Sequence, residues 1–91
     1  MSGVTSAEIQ VFLRKYLAEK LRTQGRDLPT DFSDDSDILL MGLVDSLDLL
    51  ELLTALRECC GREIDFEQLD PEQMTIVGPL CRFVSEQSNK A

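Results

Sequence analysis

Hydrophobic residues in the first 25 positions recur every three or four residues. This spacing is typical of one face of an amphipathic helix, and the face contains Ile9, Phe12, Leu13, Tyr16, Leu17 and Leu21. Thr5 and Glu8 have the spacing of a capping box, and Gly25 is a typical helix stop. The pattern therefore predicts a first helix from about Ser6 to Gln24.

The helical period is lost between Arg26 and Val44. Leu28-Pro29 disfavours a helix at that point, and the aspartates and serines from Asp31 to Asp37 favour turns. Apolar residues are nevertheless scattered through the segment, namely Leu28, Phe32, Ile38, Leu39, Leu40 and Leu43. We expect a long connection packed across the domain, with a short helical turn near Ile38–Met41.

A second helix is predicted from Asp45-Ser46 to about Cys60, ending at Gly61. One face is apolar, with Leu49, Leu52, Leu53, Leu56 and Cys60. The segment from Ile64 to Phe66 then reads as a short extended link.

Two further helices are predicted toward the end of the chain. A brief third helix has Pro71 at its first position within Leu69–Glu72. Thr75 caps a last helix that tolerates Pro79 in its first turn, and residues 85–91 are expected to fray. The inward side chains of this helix are Ile76, Leu80, Phe83 and Val84. The fold class predicted is all-α, a four-helix bundle with three main helices, one short helix and a long loop after the first.

The chain has 91 residues, which fits one domain over 1–91 with an ordered core of about 5–85. A core of this size leaves little room for a substrate pocket, so we do not expect a self-contained enzyme. No apolar run has the length of about 20 residues that a membrane helix needs, and the first ten residues lack a secretory signal pattern. Cys59, Cys60 and Cys81 are odd in number and form no Cys-x-x-Cys, which predicts reduced thiols, no metal site and a cytoplasmic location.

Charge is unevenly distributed along the chain. The net charge is −8, with +3 in the first 26 residues and −11 in the remainder. Such a chain repels nucleic acid and anionic membranes and attracts basic protein surfaces. The alternative is that the acidic residues only keep a small domain soluble.

The segment from Gly42 to Leu47 carries the candidate chemistry. It places Ser46 in the first turn of a helix directly after a loop, where free N–H groups and the helix macrodipole would stabilise an attached phosphate. Gly42 is expected to relieve crowding on the approach. The alternative is that Asp45 or Ser46 simply caps the helix.

Leu47 lies among acidic residues on the polar side of the second helix, and Leu50 lies on its flank. We predict that Leu47 is an apolar docking anchor and that Asp48, Glu51 and Glu58 steer a basic partner, so that binding weakens with salt. The alternative is that the preceding loop covers Leu47 and the acids form only a solvated face.

Asp45-Ser46-Leu47 at the head of an acidic helix resembles the attachment motif of acyl carrier proteins. The resemblance extends over nearly the whole chain, since Asp37–Gly42 is similar to the family's loop before the serine and Ile64–Val84 to its last two helices. It implies that a phosphopantetheinyl transferase moves 4′-phosphopantetheine from coenzyme A to Ser46, with Asp45 helping to place the transferase's magnesium ion. Cargo would then be held as a thioester, and the chain itself would catalyse nothing.

The spacing around Gly42 separates subgroups of this family. Gly42 lies four residues before Ser46, as in D-alanyl carrier proteins and some discrete carriers of specialised metabolism, whereas fatty-acid carriers usually place it three before. The Gly-Gly-His-Ser pattern of many peptidyl carriers is absent, and Arg57 stands where the family is often acidic. Fatty acyl, polyketide and aminoacyl cargo therefore remain open. The implied partners are a loading ligase and downstream synthase or transferase enzymes. The carrier itself is expected to be a monomer that binds neither nucleic acid nor membrane.

Three other functions explain the residues less well. A helical interaction adaptor, such as a death-fold-like bundle, explains the size and helices but not the serine between Asp45 and Leu47. A calcium loop starting at Asp31 fails, because its sixth residue is Ser36 and its twelfth is Gly42. A serine hydrolase is disfavoured because Gly-x-Ser-x-Gly and histidine are both missing.

Overall fold

The structure is a computed structural model that describes residues 5–61 and 63–88. Its elements, in chain order, are α1 (Ser6–Thr23), α2 (Ser46–Cys60), a 3₁₀ helix (Phe66–Gln68) and α3 (Val77–Ser88). Within these residues there is no strand. The predicted all-α class, with three main helices, one short helix and a long loop after the first, is confirmed.

Both ends of α1 follow the sequence signals. The Thr5 hydroxyl accepts a hydrogen bond from the N–H of Glu8, and the Glu8 carboxylate accepts one from the N–H of Thr5 at 2.9 Å. At the other end Gly25 has a φ of 72°, and the N–H of Arg26 donates to the carbonyl of Leu21. This is the hydrogen-bond pattern of a Schellman motif, which glycine favours. The predicted helix is confirmed to within one residue.

The core lies where α1 packs against α3, with the apolar face of α2 and the long connection closing it. Burying these side chains supplies most of the free energy that holds so small a domain together. The buried helical residues are Ile9, Leu13, Leu17 and Leu21 from α1, Leu52, Leu53 and Leu56 from α2, and Val77, Leu80, Cys81 and Val84 from α3.

The long connection between α1 and α2 is packed across the domain, as predicted, and it buries Phe32, Ile38, Leu43 and Val44. Its middle is tied to the start of α3 by backbone hydrogen bonds. The N–H of Ile38 donates to the Thr75 carbonyl at 2.9 Å, and Asp37 and Ile76 form an isolated antiparallel bridge. The approach to α2 is therefore held at a fixed place on the domain.

The start of α3 differs from the prediction. The helix begins at Val77, and Thr75 is not its cap. Instead, the first two N–H groups of α3, on Val77 and Gly78, donate to carbonyls of the connection, those of Ser36 (3.1 Å) and Asp34 (2.8 Å). A Cβ at Gly78 would lie 3.1 Å from the Asp34 carbonyl oxygen, so glycine permits this close approach. Tertiary contacts therefore satisfy the N–H groups for which the sequence predicted a local cap.

The short third helix also lies elsewhere than predicted. It is a 3₁₀ helix at Phe66–Gln68, where the Asp65 carboxylate accepts from the N–H of Glu67 at 3.1 Å. The segment around Pro71 forms one turn, closed by a bond from the N–H of Met74 to the Asp70 carbonyl, and does not continue as a helix. Two turns in this segment begin with an aspartate, and the short helix forms at Asp65 and not, as predicted, at Asp70.

The fraying predicted from Ser85 is wrong for 85–88. α3 continues through Ser88, which is fully buried and donates its hydroxyl to the Ser85 carbonyl at 3.0 Å. Packing of the last turn opposes the fraying that a chain end otherwise favours. Residues 89–91 lie outside the described residues.

Candidate functional site

The segment that leads to α2 is a capped turn. One oxygen of the Asp37 carboxylate accepts from the N–H groups of Leu39 (3.1 Å) and Leu40 (3.0 Å), and the N–H of Met41 donates to the Asp37 carbonyl. The turn predicted near Ile38–Met41 is therefore confirmed. It leaves the Leu40 side chain 85% exposed.

Gly42 ends this turn, but not for the reason predicted. A Cβ at this position would meet no atom within 4 Å, so the glycine relieves no crowding. Its φ is 73°, in the left-handed region that side chains other than glycine seldom adopt. The glycine is required by the backbone path into α2.

Leu43 and Val44 then anchor the chain immediately before α2. Both side chains are buried, and both N–H groups donate to the carbonyl of Ile38, at 3.0 and 3.3 Å. Asp45 and Ser46 follow at once and are exposed. The buried side chains of Leu43 and Val44 therefore fix the backbone just before α2, and the first residue of the helix is an exposed serine.

Asp45 and Ser46 have different roles at this helix start. The Asp45 carboxylate accepts from the N–H of Asp48 at 2.8 Å, and the Asp48 carboxylate accepts from the N–H of Asp45 at 3.4 Å, which completes a capping box. Of the two residues that the sequence offers as a cap, Asp45 is therefore the one that caps α2. Neither the hydroxyl nor the N–H of Ser46 forms a hydrogen bond with any residue that the structure describes, and the same holds for the N–H of Leu47.

This arrangement fits a phosphate attached to Ser46. The hydroxyl is exposed and unused, and two unbonded N–H groups lie at the positive end of the helix macrodipole. Helix starts of this kind stabilise phosphate groups.

A lysine from α1 reaches the same end of α2. The Nζ atom of Lys20 lies 2.9 Å from Asp48 Oδ1 and 3.1 Å from Glu51 Oε1. The hydrogen bond from this ammonium group holds the pKa of the Asp48 carboxyl below its usual range, and the two carboxylates raise the pKa of Lys20. Sequence reasoning missed Lys20, because the only signal available was an excess of basic residues in α1.

The exposed side of α2 carries leucines. Leu47 is 67% exposed and Leu50 is 61% exposed, so the alternative in which the preceding loop covers Leu47 is wrong. Glu58 is also exposed and makes no ion pair within the described part of the chain. On the opposite face Leu52, Leu53 and Leu56 are buried as predicted, whereas Leu49 and Cys60 are half-buried.

An open apolar depression of about 460 Å³ lies beside α2. It begins at Leu50, one helical turn beyond Ser46, and ends at the turn that contains Pro71. Its lining residues are Leu50, Leu53, Phe66, Glu67, Leu69, Pro71 and Met74.

The described residues offer no second kind of site. Over 5–61 and 63–88, no three carboxylate, thiol or imidazole groups are clustered as a metal site would require. The cysteines are free thiols, with Cys59 exposed and Cys81 buried, and burial raises the pKa of Cys81 to about 11. No helix in the described part of the chain is long and apolar enough to span a bilayer.

Comparison with known proteins agrees with this geometry. A family model described as a phosphopantetheine attachment site matches residues 11–78, which is well over half of the chain and includes Ser46. Searches of curated proteins and of solved structures give no significant match. The resemblance to acyl carrier proteins inferred from the Asp45-Ser46-Leu47 motif is thereby confirmed at the level of the family. The chain therefore belongs to the phosphopantetheine attachment-site family, and its general role is to carry covalently bound 4′-phosphopantetheine.

Proposed function

We propose that Ser46 is the attachment residue and that the chain presents a thioester-linked acyl or aminoacyl group to partner enzymes. The observation that carries the proposal is the exposed Ser46 hydroxyl, which makes no hydrogen bond to the described residues at the capped start of α2. When attached, the phosphopantetheine arm supplies the thiol that holds the cargo.

A second serine in the chain provides a comparison that supports Ser46. Ser6 is the first residue of α1 and also follows a capping residue, Thr5. Ser6 lies before the segment that the family model matches, whereas Ser46 lies inside it. A helix-initiating serine by itself therefore does not distinguish the two positions, and the range of the family match favours Ser46 over Ser6.

Asp45 is proposed to act in the transfer step. Its Oδ1 atom accepts from the N–H of Asp48, whereas no protein donor within the described residues contacts its Oδ2 atom. That second oxygen can face the magnesium ion of a phosphopantetheinyl transferase, with the phosphate on Ser46 next to it.

The proposed partners are the transferase, a loading ligase, and downstream synthase or transferase enzymes of fatty acid, polyketide or aminoacyl metabolism in the cytoplasm. Carrier domains of this family are typically not catalysts, and the absence of histidine from the chain supports that role. An apolar part of the cargo could rest in the depression that begins at Leu50. Leu47, Asp48, Glu51 and Glu58 are the proposed docking residues, and two of these four already contact Lys20.

Intact mass spectrometry tests the attachment residue. The protein is incubated with coenzyme A, magnesium and a broad-specificity phosphopantetheinyl transferase, and a gain of one phosphopantetheine mass is expected. Ser46→Ala should remain folded and gain nothing, because the Ser46 side chain is exposed and bonds to no described residue.

Ser6→Ala is the matched control, and it should be modified like the unaltered protein. Modification of Ser46→Ala would move the site elsewhere. No mass gain in folded protein with several transferases would refute the proposal and favour the interaction adaptor.

A further inference from the structure

The exposed side of α2 carries much less net charge than its carboxylates suggest. Arg57 lies on α2 itself, and Lys20 contributes its ammonium group from α1, at 2.9 Å from Asp48 and 3.1 Å from Glu51. The ionised groups at this side sum to −2, and they are Asp45, Asp48, Glu51, Arg57, Glu58 and Lys20. Because Lys20 bridges two carboxylates, it compensates one of their two negative charges within the chain and weakens the long-range field of this side.

A stripe without charged groups runs down the same side from Ser46. Leu47, Leu50 and Thr54 have the i, i+3, i+7 spacing of one helix face, and we call them the leucine surface. All three side chains are exposed. The Thr54 hydroxyl donates to the carbonyl of Leu50 at 3.1 Å, so it is already satisfied within the helix. Exposed leucines grouped in this way are typical of a protein interaction site.

We propose that the enzymes acting at Ser46 dock on the leucine surface with an apolar, weakly charged pocket, and that Lys20 favours this preference by pairing with Asp48 and Glu51 and compensating one of their two charges. The inference rests on the proposed function and names the chemistry of its partners. It departs from the sequence-based prediction of a basic partner, because it gives the main docking contact to the leucines and only a minor part to the acidic residues. Docking by acidic steering and docking by apolar contact differ in one measurable property. The first weakens steeply with salt, and the second does not.

The first experiment compares two exposed apolar side chains. Leu47→Gln is expected to lower kcat/KM for phosphopantetheinylation by about tenfold, because a leucine buried at an interface is then lost. Val11→Gln is the matched control, since Val11 is 58% exposed on α1 and lies outside the leucine surface. It should leave kcat/KM unchanged. Circular dichroism checks that both variants fold.

The second experiment tests Lys20 through the salt dependence of the same rate. For the unaltered protein kcat/KM is expected to change by less than about twofold between low salt and salt well above the physiological concentration. Lys20→Gln leaves two carboxylates without their ion pair and changes the net charge of this side from −2 to −3, so the dependence on salt should become steeper. Lys15→Gln is the control, because Lys15 is an exposed lysine of α1 that forms no ion pair with a described residue.

Three results would overturn the inference. They are equal rates for Leu47→Gln and Val11→Gln, a steep salt dependence of the unaltered protein, and a dimer of the unaltered protein that Leu47→Gln dissociates, as measured by light scattering. The last would show that a second copy covers the leucine surface. Failure of the proposed function is a different result, since it removes the mass gain at Ser46 altogether.

Discussion

Helices α1 and α2 begin in the same way, but the start of α1 serves folding alone and the start of α2 is also the proposed functional site. Each starts with a capping box, Thr5 with Glu8 and Asp45 with Asp48, and each has a serine as its first residue. The residue after the serine is an alanine in α1 and an exposed leucine, Leu47, in α2. The residue four positions after the serine is a glutamine in α1 and an exposed leucine, Leu50, in α2.

The difference between these two helix starts shows which features belong to folding and which to function. Capping hydrogen bonds satisfy N–H groups at both starts and so serve helix formation alike. The exposed leucines beside the serine contribute little to the stability of the fold, because most of each side chain is exposed. Under the proposed function, the recognition of Ser46 depends on the residues around the cap and not on the cap itself.

The largest effect is expected when one apolar residue near the start of each helix is truncated, a buried one in α1 and an exposed one in α2. Ile9 is 1% exposed, and Ile9→Ala should lower the free energy of unfolding by about 3 kcal/mol, through lost burial and a cavity. Leu47→Ala should change it by less than about 0.5 kcal/mol, because the side chain is exposed. Urea denaturation followed by circular dichroism measures both values. Equal losses would mean that α2 buries Leu47 in solution.

A smaller effect is expected when the two caps are removed. Thr5→Ala and Asp45→Ala should each lower the free energy of unfolding by about 1 kcal/mol, because each leaves an N–H group without its acceptor. Only the change at Asp45 should also slow phosphopantetheinylation. Asp45→Asn separates the two roles, since asparagine caps as well as aspartate but lacks the charge. An unchanged rate for Asp45→Asn would remove Asp45 from the transfer step.

The smallest effect concerns the pH dependence that Lys20 gives to the start of α2. The pKa of Asp48 is lowered in the folded chain, mainly by its hydrogen bond from Lys20, so ionised Asp48 stabilises the fold. This contribution is present above the ordinary carboxyl pKa of about 4 and is lost as the pH falls through the lowered value. Carboxyl-carbon NMR should find that Lys20→Gln raises the pKa of Asp48. No shift would show that the ion pair does not persist in solution.

Local signals in the sequence predicted much of this molecule. The bounds of α1 and α2 follow from caps, glycines and apolar period, which are properties of neighbouring residues. The exposure of Leu47 followed from its position on the helix among acids. The attachment motif was also local, and the family match covers it.

The errors share a different cause, which is contact between segments distant in sequence. The first N–H groups of α3 donate to the carbonyls of Ser36 and Asp34, some forty residues earlier. No local sequence pattern predicts these hydrogen bonds. The Lys20 ion pairs join α1 to α2 in the same way. The continuation of α3 to Ser88 depends on burial that only the assembled fold provides.

The ion pairs of Lys20 have a consequence for how such a carrier could evolve. The side chains of the leucine surface are mostly exposed, so mutations there can change partner preference while the fold is kept. Lys20 offers a shorter route, because one substitution on a different helix would unmask two carboxylates beside Ser46 without altering α2 at all. A duplicated gene could in this way come to encode a carrier for enzymes with basic docking surfaces through a single substitution.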